Sequence, residues 1–237
     1  MKINKKILVV KYGGSLMDNK ASNAKIIKYI NKLSVNNSVI VVHGGGKAIS
    51  KAMENAGIKP RFVNGLRYTC PKSIKIVKNV LEGLQKSIVK KLKNSIAITG
   101  ISYGKMIKKL GYAGKFEKAN TDIILSTLNA GKICVLNCLG RNKKGVWLNM
   151  NADDVASGIA CSIKADKLIF FTNVSGVLDK NGHTIGTINK RRIEKLIKEG
   201  AVSGGMIPKL TGCRDAILKG VKEINIMSTD LKGTKIL

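Results

Sequence analysis

The sequence has few of the residues that usually build metal centres or nucleophilic catalytic sites. Its 237 residues include only two histidines, His43 and His183, and no HExxH pattern. Five cysteines form no CxxC pair, and their number is odd. These are Cys70, Cys134, Cys138, Cys161 and Cys213. A metal site held by the chain is therefore disfavoured, and we expect reduced, mostly buried thiols.

Long apolar runs are also missing. No run reaches the ~18 residues that a membrane-spanning helix needs. The first apolar run, Ile7–Val10, is four residues long and leads into glycines, whereas a signal peptide needs a longer run and a cleavage site. We therefore predict a cytoplasmic protein with no membrane contact. Its 44% of apolar residues suffice for a sizeable core.

Acidic residues are scarce, since 14 Asp and Glu stand against 43 Lys and Arg, for a net charge of +29. Such a charge is compatible with nucleic acid or an acidic partner. However, only six of the basic residues are Arg, and aromatic residues make up 4% of the chain. Nucleic-acid sites favour Arg forks and stacking rings. Because lysine is spread along the whole chain, we interpret the charge as a solvated coat and expect no nucleic-acid partner.

Apolar runs rich in β-branched residues alternate with helix-like segments, which predicts an α/β fold. Between the runs, apolar residues recur at three- and four-residue spacing, as from Ile74 to Leu92. The order predicts a mostly parallel central sheet covered on both faces, with ligands at the carboxyl ends of its strands. The predicted strands are Ile7–Val10, Val39–Val42, Ile96–Ile98, Ile133–Leu136, Leu168–Phe171 and Ile224–Ile226.

The chain has no Pro- or Ser-rich linker and no internal repeat. We expect a modest boundary near Lys164, which would separate an N-terminal lobe (residues 1–164) from a smaller C-terminal lobe (residues 165–237).

Two glycine loops follow neighbouring apolar runs, Gly13–Gly14 after the first and Gly44–Gly46 after the second. Glycine lets the backbone approach a ligand, successive N–H groups bind anions, and a following helix adds its dipole. Neither loop belongs to GxxxxGK[ST] or GxGxxG, which disfavours P-loop and dinucleotide folds. Taken alone, each loop is equally well explained as a tight strand-to-helix turn.

Polar residues near predicted strand ends are the other candidates. Lys11 ends the first strand, where its ammonium either enters the crevice or extends to solvent. Asn149, Asn151 and Asp153 alternate in "WLNMNADDVASGIA". This spacing would project them to one side of an extended entry to a helix that Asn151 or Asp153 caps. Lys209 follows paired glycines, on a loop or at a helix start.

Seven short motifs then occur in a fixed order, and the set resembles the amino acid kinase family. They are "KYGGS", "HGGG", "NGLRYT", "NMNADDVA", "TNVSGVL", "GGMIPK" and "KGTKIL". The fourth and sixth are most similar to the acetylglutamate kinases of that family, and the resemblance runs from about Ile7 to Leu237.

The resemblance implies a three-layer αβα sandwich and ATP-dependent phosphorylation of the side-chain carboxylate of N-acetyl-L-glutamate. The product would be N-acetyl-L-glutamyl 5-phosphate, in the second step of arginine biosynthesis. The N-terminal lobe would bind the acid and form a dimer interface, and the C-terminal lobe would bind ATP.

The resemblance also implies roles for single residues. Lys11 and Lys209 would flank the transferring phosphoryl group, and Asp153 would hold both lysines. Arg67 would bind the substrate's α-carboxylate with the help of Asn149, because a guanidinium fork suits a carboxylate.

Backbone and nucleotide contacts are implied in the same way. Gly13, Gly14, Gly44 and Gly45 would offer N–H groups to the phosphoryl group and the acceptor. The nucleotide would be lined by Asn173, Val174, Ser175, Gly176, Val177, Leu178, Ala201, Val202 and Ser203.

This chemistry agrees with the residues that are missing. A substrate carboxylate is already a nucleophile, so no general base is needed, and phosphoryl transfer requires positioning and positive charge. His43 is then expected to be structural. Mg²⁺ would bridge the ATP phosphates and need few protein ligands.

Several segments depart from the family pattern. Asn173 stands where the family usually carries aspartate, which alters a nucleotide contact. Gly100–Gly114 is shortened relative to a hairpin that helps to cover the substrate, and the final segment from Ile224 is abbreviated on the nucleotide side. No helix precedes the first strand, whereas arginine-inhibited relatives carry one and form hexamers. We therefore expect an arginine-insensitive homodimer.

Other functions remain open at this point. One is a related kinase for a glutamate or aminoadipate group attached to an acidic carrier protein, which the +29 charge would suit. Another is a degenerate kinase fold that serves as a basic nucleic-acid- or protein-binding module. Retention of all five key residues argues against the second, and these are Lys11, Arg67, Asn149, Asp153 and Lys209.

Overall fold

Strands and helices alternate along the whole chain, as the apolar pattern predicts. The computed structural model describes residues 5–202 and 206–237. The strands are β1 (Lys6–Tyr12), β2 (Asn37–His43), β3 (Phe62–Val63), β4 (Leu66–Arg67), β5 (Ser95–Ile98), β6 (Ser102–Met106), β7 (Ala113–Ala119), β8 (Ile133–Asn137), β9 (Leu139–Arg141), β10 (Trp147–Met150), β11 (Lys167–Phe171), β12 (Thr187–Ile188), β13 (Glu223–Met227) and β14 (Gly233–Ile236). The helices are α1 (Gly14–Asp18), α2 (Lys20–Asn36), α3 (Gly46–Asn55), α4 (Pro71–Val89), α5 (Thr121–Asn129), α6 (Ala152–Ser162), α7 (Lys190–Lys198) and α8 (Met206–Leu218).

Eight of the strands form one central sheet in the order β12-β14-β13-β11-β1-β2-β8-β5. All neighbouring pairs run parallel except β13 and β14, which are antiparallel. Each of the six predicted strands lies inside one of these eight, so the predicted mostly parallel sheet is confirmed. Because β1, β2 and β11 are parallel neighbours, their carboxyl ends lie at one edge of the sheet.

The sheet is covered on both faces, which gives the three layers that the resemblance implied. Alternate residues of β1 enter opposite cores, Val9 on one face and Val10 on the other. Helix α2 covers the Val10 face with three buried isoleucines, and α3, α4 and α6 pack on the Val9 face. The predicted helical face of α4 is buried at Val77 and Leu81, but the helix ends at Val89, before Leu92.

A second, smaller sheet closes on itself in the order β10-β7-β6-β9. Met150 of β10 fills its interior, and the facing strands carry glycine there. A Cβ at Gly104, Gly114 or Gly140 would lie 2.9, 3.2 or 2.2 Å from a Met150 side-chain atom. The segment Gly100–Gly114, which was expected to be shortened relative to a family hairpin, contains β6 and the start of β7, which pair antiparallel.

This closed sheet packs against α6, most closely at Gly158. A Cβ at Gly158, inside α6, would lie 2.2 Å from ring atoms of Phe116 on β7. A side chain at that position would therefore push β7 away from the helix. The contact matters for the site because α6 contributes residues to the site, and so does β10, the neighbour of β7 in the closed sheet.

Within the part of the chain that the structure describes, no helix combines the length and the apolar character needed to span a membrane. The five cysteines are all free thiols. The predicted lobe boundary lies just after α6, at Lys164, whose φ is +49°. Because β11 pairs with β1 across that boundary, the sheet is continuous, and the assignment of a function to each lobe stays a prediction.

Two helical glycines give a matched test of the packing between α6 and β7. Gly158→Ala should lower the free energy of unfolding by about 1–3 kcal/mol, because Phe116 must move to admit the methyl group. Gly83→Ala should instead raise it by about 0.5–1 kcal/mol, because Gly83 lies inside α4 and a Cβ there would meet no neighbouring group within 4 Å. Urea unfolding of both variants measures the difference, and equal shifts of the same sign would contradict the described contact.

Candidate active site

Two lysines and one aspartate from three distant parts of the chain meet at the carboxyl edge of the sheet. Lys11 lies on β1, Asp153 in the first turn of α6, and Lys209 in the first turn of α8. Lys11 Nζ lies 2.9 Å from Asp153 Oδ1, and Lys209 Nζ donates a hydrogen bond to Asp153 Oδ2. The three side chains are mostly shielded from solvent, with exposed fractions of 15%, 30% and 16%.

The ionisation of Asp153 follows from this geometry. Burial alone would raise the pKa of its carboxyl group, but the charges of Lys11 and Lys209 and the hydrogen bonds from them lower the pKa below its usual value. Asp153 is therefore a carboxylate at neutral pH. Since one negative charge lies between two positive ones, the group keeps a net positive charge that faces the cleft.

The first turn of α6 is fixed by the residue before it. The side chain of Asn151 accepts hydrogen bonds from the backbone N–H groups of Asp153, at 2.7 Å, and Asp154, at 3.3 Å. Asn151 is thus the N-terminal cap of α6, which confirms one of the two caps that the sequence predicted. The prediction that Asn149, Asn151 and Asp153 share one side of an extended segment is confirmed in that all three line one cleft, but it is wrong for the conformation of Asp153, which is already helical.

Lys209 has a second contact that the sequence did not reveal. Its Nζ lies 4.9 Å from the ring centroid of Phe170 on β11, a cation–π contact. Phe170 is the register partner of Lys11 across the β1–β11 pair. The same strand pair therefore positions one lysine directly and supports the other through an aromatic ring. Lys11 was predicted to end the first strand, but it is the penultimate residue of β1, which ends at Tyr12.

The two glycine loops lie beside this group, and there is little room for side chains at their glycine positions. A Cβ at Gly13 would lie 2.8 Å from Lys11 Nζ, and one at Gly44 would lie 3.2 Å from the Cβ of Ala152. At Gly45 the nearest atom would be Leu84 Cδ1 at 3.0 Å. Gly13 and Gly45 precede helices α1 and α3, so the backbone N–H groups that begin these helices are available to anions.

Gly14 is the first residue of α1, directly after Gly13. It belongs to the first predicted glycine loop, which therefore forms the start of this short helix.

Arg67 is the cation at the other end of the site. Its Nη2 donates hydrogen bonds to the carbonyl of Gly46, at 2.8 Å, and to Ser50 Oγ, at 2.9 Å, and its guanidinium lies 4.5 Å from the ring centroid of Phe62. Burial lowers the pKa of Arg67, and the charge of Glu54 acts in the opposite direction. Among the residues described, no carboxylate forms a salt bridge with Arg67.

Asn149 is held next to Arg67 by a buried threonine. Asn149 Nδ2 donates to Thr69 Oγ1 at 3.0 Å, and that hydroxyl donates to the carbonyl of Arg67 at 3.1 Å. Thr69 is fully buried. The chain of bonds fixes the amide of Asn149, a residue that lines the cleft, relative to β4.

One cleft of about 270 Å³ contains most of the predicted acceptor site. The predicted residues that line it are Lys11, Gly13, Gly44, Gly45, Arg67, Asn149 and Asp153. The sequence prediction missed its apolar wall, because apolar residues carry no chemical signature. That wall includes Ile49, Phe62, Leu66, Ala113, Cys138 and Met150. Leu66 and Met150 could have been found, since they lie inside the "NGLRYT" and "NMNADDVA" motifs.

The predicted nucleotide loop Asn173–Leu178 lies at the same edge of the sheet but outside this cleft. Asn173–Leu178 follows β11 directly, next to the end of β1. Val174 and Leu178 are exposed, whereas Val177 and Val202 are buried.

Two of the three other predicted nucleotide residues, Ala201 and Val202, lie between α7 and α8. The backbone N–H of Ala201 donates to the carbonyl of Leu196. The predicted residue Ser203 lies outside the described residues.

His43 is buried at the end of β2, beside the second glycine loop. Its Nδ1 lies 3.1 Å from the carbonyl oxygen of Gly44, and its Nε2 has no partner among the described residues. Burial lowers the pKa of His43 to about 4, although the contact with Gly44 acts the other way. The ring is neutral at physiological pH and supports the loop, in line with the structural role that was predicted.

Comparison with known proteins identifies similar chains over nearly the full length. Residues 6–228 match the model of the amino acid kinase family. An acetylglutamate kinase of Endomicrobium trichonymphae is 36% identical in an alignment of length 245, and the match covers 97% of this chain and 98% of that protein. An acetylglutamate kinase of Brachyspira hyodysenteriae is 38% identical in an alignment of length 239, and the match covers 94% of this chain and 83% of that protein.

A solved structure from Streptococcus mutans UA159 superimposes with a TM-score of 0.83. It is 30% identical to this chain, and the match covers 97% of this chain and 98% of that one.

The burial of His43 predicts a pH dependence of stability. An unfolded histidine has a pKa near 6.5, whereas the folded one is near 4, so the unfolded state binds more protons between these values. Stability should therefore fall as the pH drops from about 7.5 to 5, by about 2 kcal/mol from this residue.

Urea unfolding at the two pH values measures the effect, with His43→Asn as the comparison. Asparagine keeps an amide near the position of Nδ1 but does not titrate. The variant should lose about 2 kcal/mol less than the natural protein over this interval. An equal loss in both proteins would show that His43 is not buried in its neutral form.

Proposed function

The chain belongs to the amino acid kinase family, and on that premise we propose that it phosphorylates the side-chain carboxylate of N-acetyl-L-glutamate with ATP. The product is N-acetyl-L-glutamyl 5-phosphate, in arginine biosynthesis. The full-length similarity to acetylglutamate kinases supports this substrate. The observation that carries the reaction type is the pair of lysines held by Asp153, beside a cleft that Lys11, Arg67 and glycine residues line.

The proposed reaction is a direct transfer between two anions. A carboxylate oxygen of the acid forms a bond to the γ-phosphorus, the bond from that phosphorus to the β,γ-bridging oxygen breaks, and ADP leaves. The charge that spreads over the phosphoryl oxygens is stabilised by Lys11 and Lys209 and by the N–H groups near Gly13 and Gly44. Asp153 acts by keeping both ammonium groups in place.

The other end of the cleft suits the second carboxylate of the acid. Arg67 offers a partly desolvated guanidinium without a carboxylate partner among the residues described, and Asn149 adds a fixed amide. A planar fork recognises a carboxylate better than an ammonium group does. We therefore propose that Arg67 and Asn149 bind the α-carboxylate, so that the side-chain carboxylate points towards Lys11.

We propose that residues 1–164 bind the acid and that residues 165–237 bind ATP. The loop from Asn173 to Leu178 lies next to β1 and close to the end where Lys209 enters, which supports this division. Ala201 and Val202 lie just before α8, the helix that carries Lys209. Ser203, which follows them, is included by its place in the sequence.

The metal is proposed to be Mg²⁺ that arrives with the nucleotide. No group of three or more His, Cys, Asp or Glu side chains suited to a metal ion occurs among residues 5–202 and 206–237. The carboxylate in the cleft, Asp153, is already held by two lysines. This donor set fits a metal that the phosphates hold, where it neutralises their charge.

We also propose a cytoplasmic homodimer. The free thiols are compatible with a reducing compartment. Strand β5 is an edge of the eight-stranded sheet and exposes 39% of Ile96. Such an edge is suited to pairing with a second copy.

The substrate is tested by the formation of acyl phosphate, trapped as a hydroxamate with hydroxylamine. N-Acetyl-L-glutamate should give product, whereas glutamate, aspartate and N-acetyl-aminoadipate should give at least about tenfold less. Lys209→Ala should lower kcat by about 10²–10³, the usual effect of losing one stabilising donor.

Lys219→Ala is the matched control for that experiment, because Lys219 is exposed near the end of α8 and should leave kcat unchanged. If a folded, ATP-binding protein phosphorylates none of the four acids, the proposal is wrong. A carrier-linked acid would then become the substrate to examine.

Arg67→Lys separates acceptor binding from chemistry. The substitution keeps the positive charge but removes the fork and the stacking on Phe62. We expect the KM for N-acetyl-L-glutamate to rise about tenfold or more, with the KM for ATP within about twofold of its natural value. Steady-state kinetics with each substrate varied in turn measures both constants. A rise confined to the KM for ATP would show that Arg67 acts in the nucleotide site, and would contradict its proposed place in the acceptor site.

A further inference from the structure

The C-terminal motif "KGTKIL" has no role in the reaction described so far. Its residues 233–236 form β14, the strand that runs antiparallel to β13 and parallel to β12. Thr234 lies in the middle of this strand with an exposed fraction of 1%. A hydroxyl group that is buried so completely must find hydrogen-bond partners inside the fold.

The partners of this hydroxyl belong to the segment that follows β11. Thr234 Oγ1 accepts a hydrogen bond from the backbone N–H of Val177, at 2.8 Å, and donates one to the carbonyl of Ile185, at 2.7 Å. The N–H of Ile185 in turn donates to the carbonyl of Val177 at 2.8 Å. The hydroxyl group is therefore inserted between Val177 and Ile185, where it completes the pairing of the two backbones.

Glycine at position 176 allows this close approach. A Cβ there would lie 2.7 Å from Thr234 Oγ1 and 2.9 Å from the Thr234 nitrogen, and the φ of Gly176 is +127°. Gly233 brings β14 equally close to β13, since a Cβ on it would lie 2.2 Å from the carbonyl oxygen of Ile226. The loop, β14 and β13 thus form one continuous stack.

We propose that Thr234 is a positioning residue for the nucleotide, because its hydroxyl sets the path of the loop from Asn173 to Leu178. This inference rests on the proposed function, in which that loop lines ATP. The loop leaves the sheet at Thr172, whose N–H donates to the carbonyl of Met227, and Val174 and Leu178 expose their side chains. The bond from Val177 to Thr234 holds the loop between those two exposed positions.

Thr234→Val tests the proposal, because valine has nearly the shape of threonine but neither donates nor accepts a hydrogen bond. It leaves the Val177 N–H and the Ile185 carbonyl without their partner. The KM for ATP should rise about tenfold or more, while kcat and the KM for the acid stay within about threefold. Thr234→Ser keeps the hydroxyl group and should restore the KM for ATP.

Thr69→Val provides a matched control. Thr69 is as buried as Thr234, and its hydroxyl also bridges two partners, but these are Asn149 and the Arg67 carbonyl in the acceptor cleft. Its loss should raise the KM for the acid rather than the KM for ATP. If Thr234 had only a structural role, Thr234→Val would lower the unfolding midpoint and leave both KM values unchanged, which would overturn the proposal.

Calorimetric titration with a non-hydrolysable ATP analogue makes the test independent of the acceptor. Thr234→Val should weaken the Kd of the analogue about tenfold or more. An unchanged Kd overturns the role of Thr234 and leaves the proposed function intact. If the natural protein binds the analogue but phosphorylates no acid, the proposed function fails, and the Kd of the variant still decides the role of Thr234.

Gly176→Ala approaches the same contact from the loop side and serves if Thr234→Val does not fold. Its methyl group would press on the Thr234 hydroxyl, so the Kd should again weaken. An unchanged Kd in folded Gly176→Ala would overturn the proposal.

Discussion

The arrangement of the site depends on one partly buried carboxylate between two ammonium groups. Without Asp153, Lys11 and Lys209 would repel each other at a place where neither is well solvated. With it, β1, α6 and α8 are joined at their ends, although their residues are far apart in the sequence. The residual positive charge then faces the cleft, where it favours a phosphoryl group over a neutral ligand.

Close backbone contact, provided by glycine, is the second constraint. Gly13 leaves space for the Lys11 ammonium, Gly158 lets β7 pack on α6, and Gly176 lets the nucleotide loop reach Thr234. Each of these glycines lies where a β-carbon would meet a side chain or the backbone. The site is therefore shaped as much by missing side chains as by the charged ones.

The sequence predicted the central sheet well because buried parallel strands are nearly continuous apolar runs, as in Val39–Val42. It could not predict the closed sheet of β6, β7, β9 and β10, since these short strands mix glycine, lysine and apolar residues. The charged site residues were predicted because their motifs resemble a known family. Phe170, which supports Lys209, was missed because its role arises only from strand register.

The most direct measurement of the central claim is the kcat of Asp153→Asn, with Asp154→Asn as the neighbouring control. If Asp153 holds the two lysines for the transfer step, its amide variant should lose at least about 10² in kcat with N-acetyl-L-glutamate and ATP. The exposed Asp154 should tolerate the same change within about threefold. A kcat for Asp153→Asn close to that of the natural protein would contradict the claim that this carboxylate organises the active site.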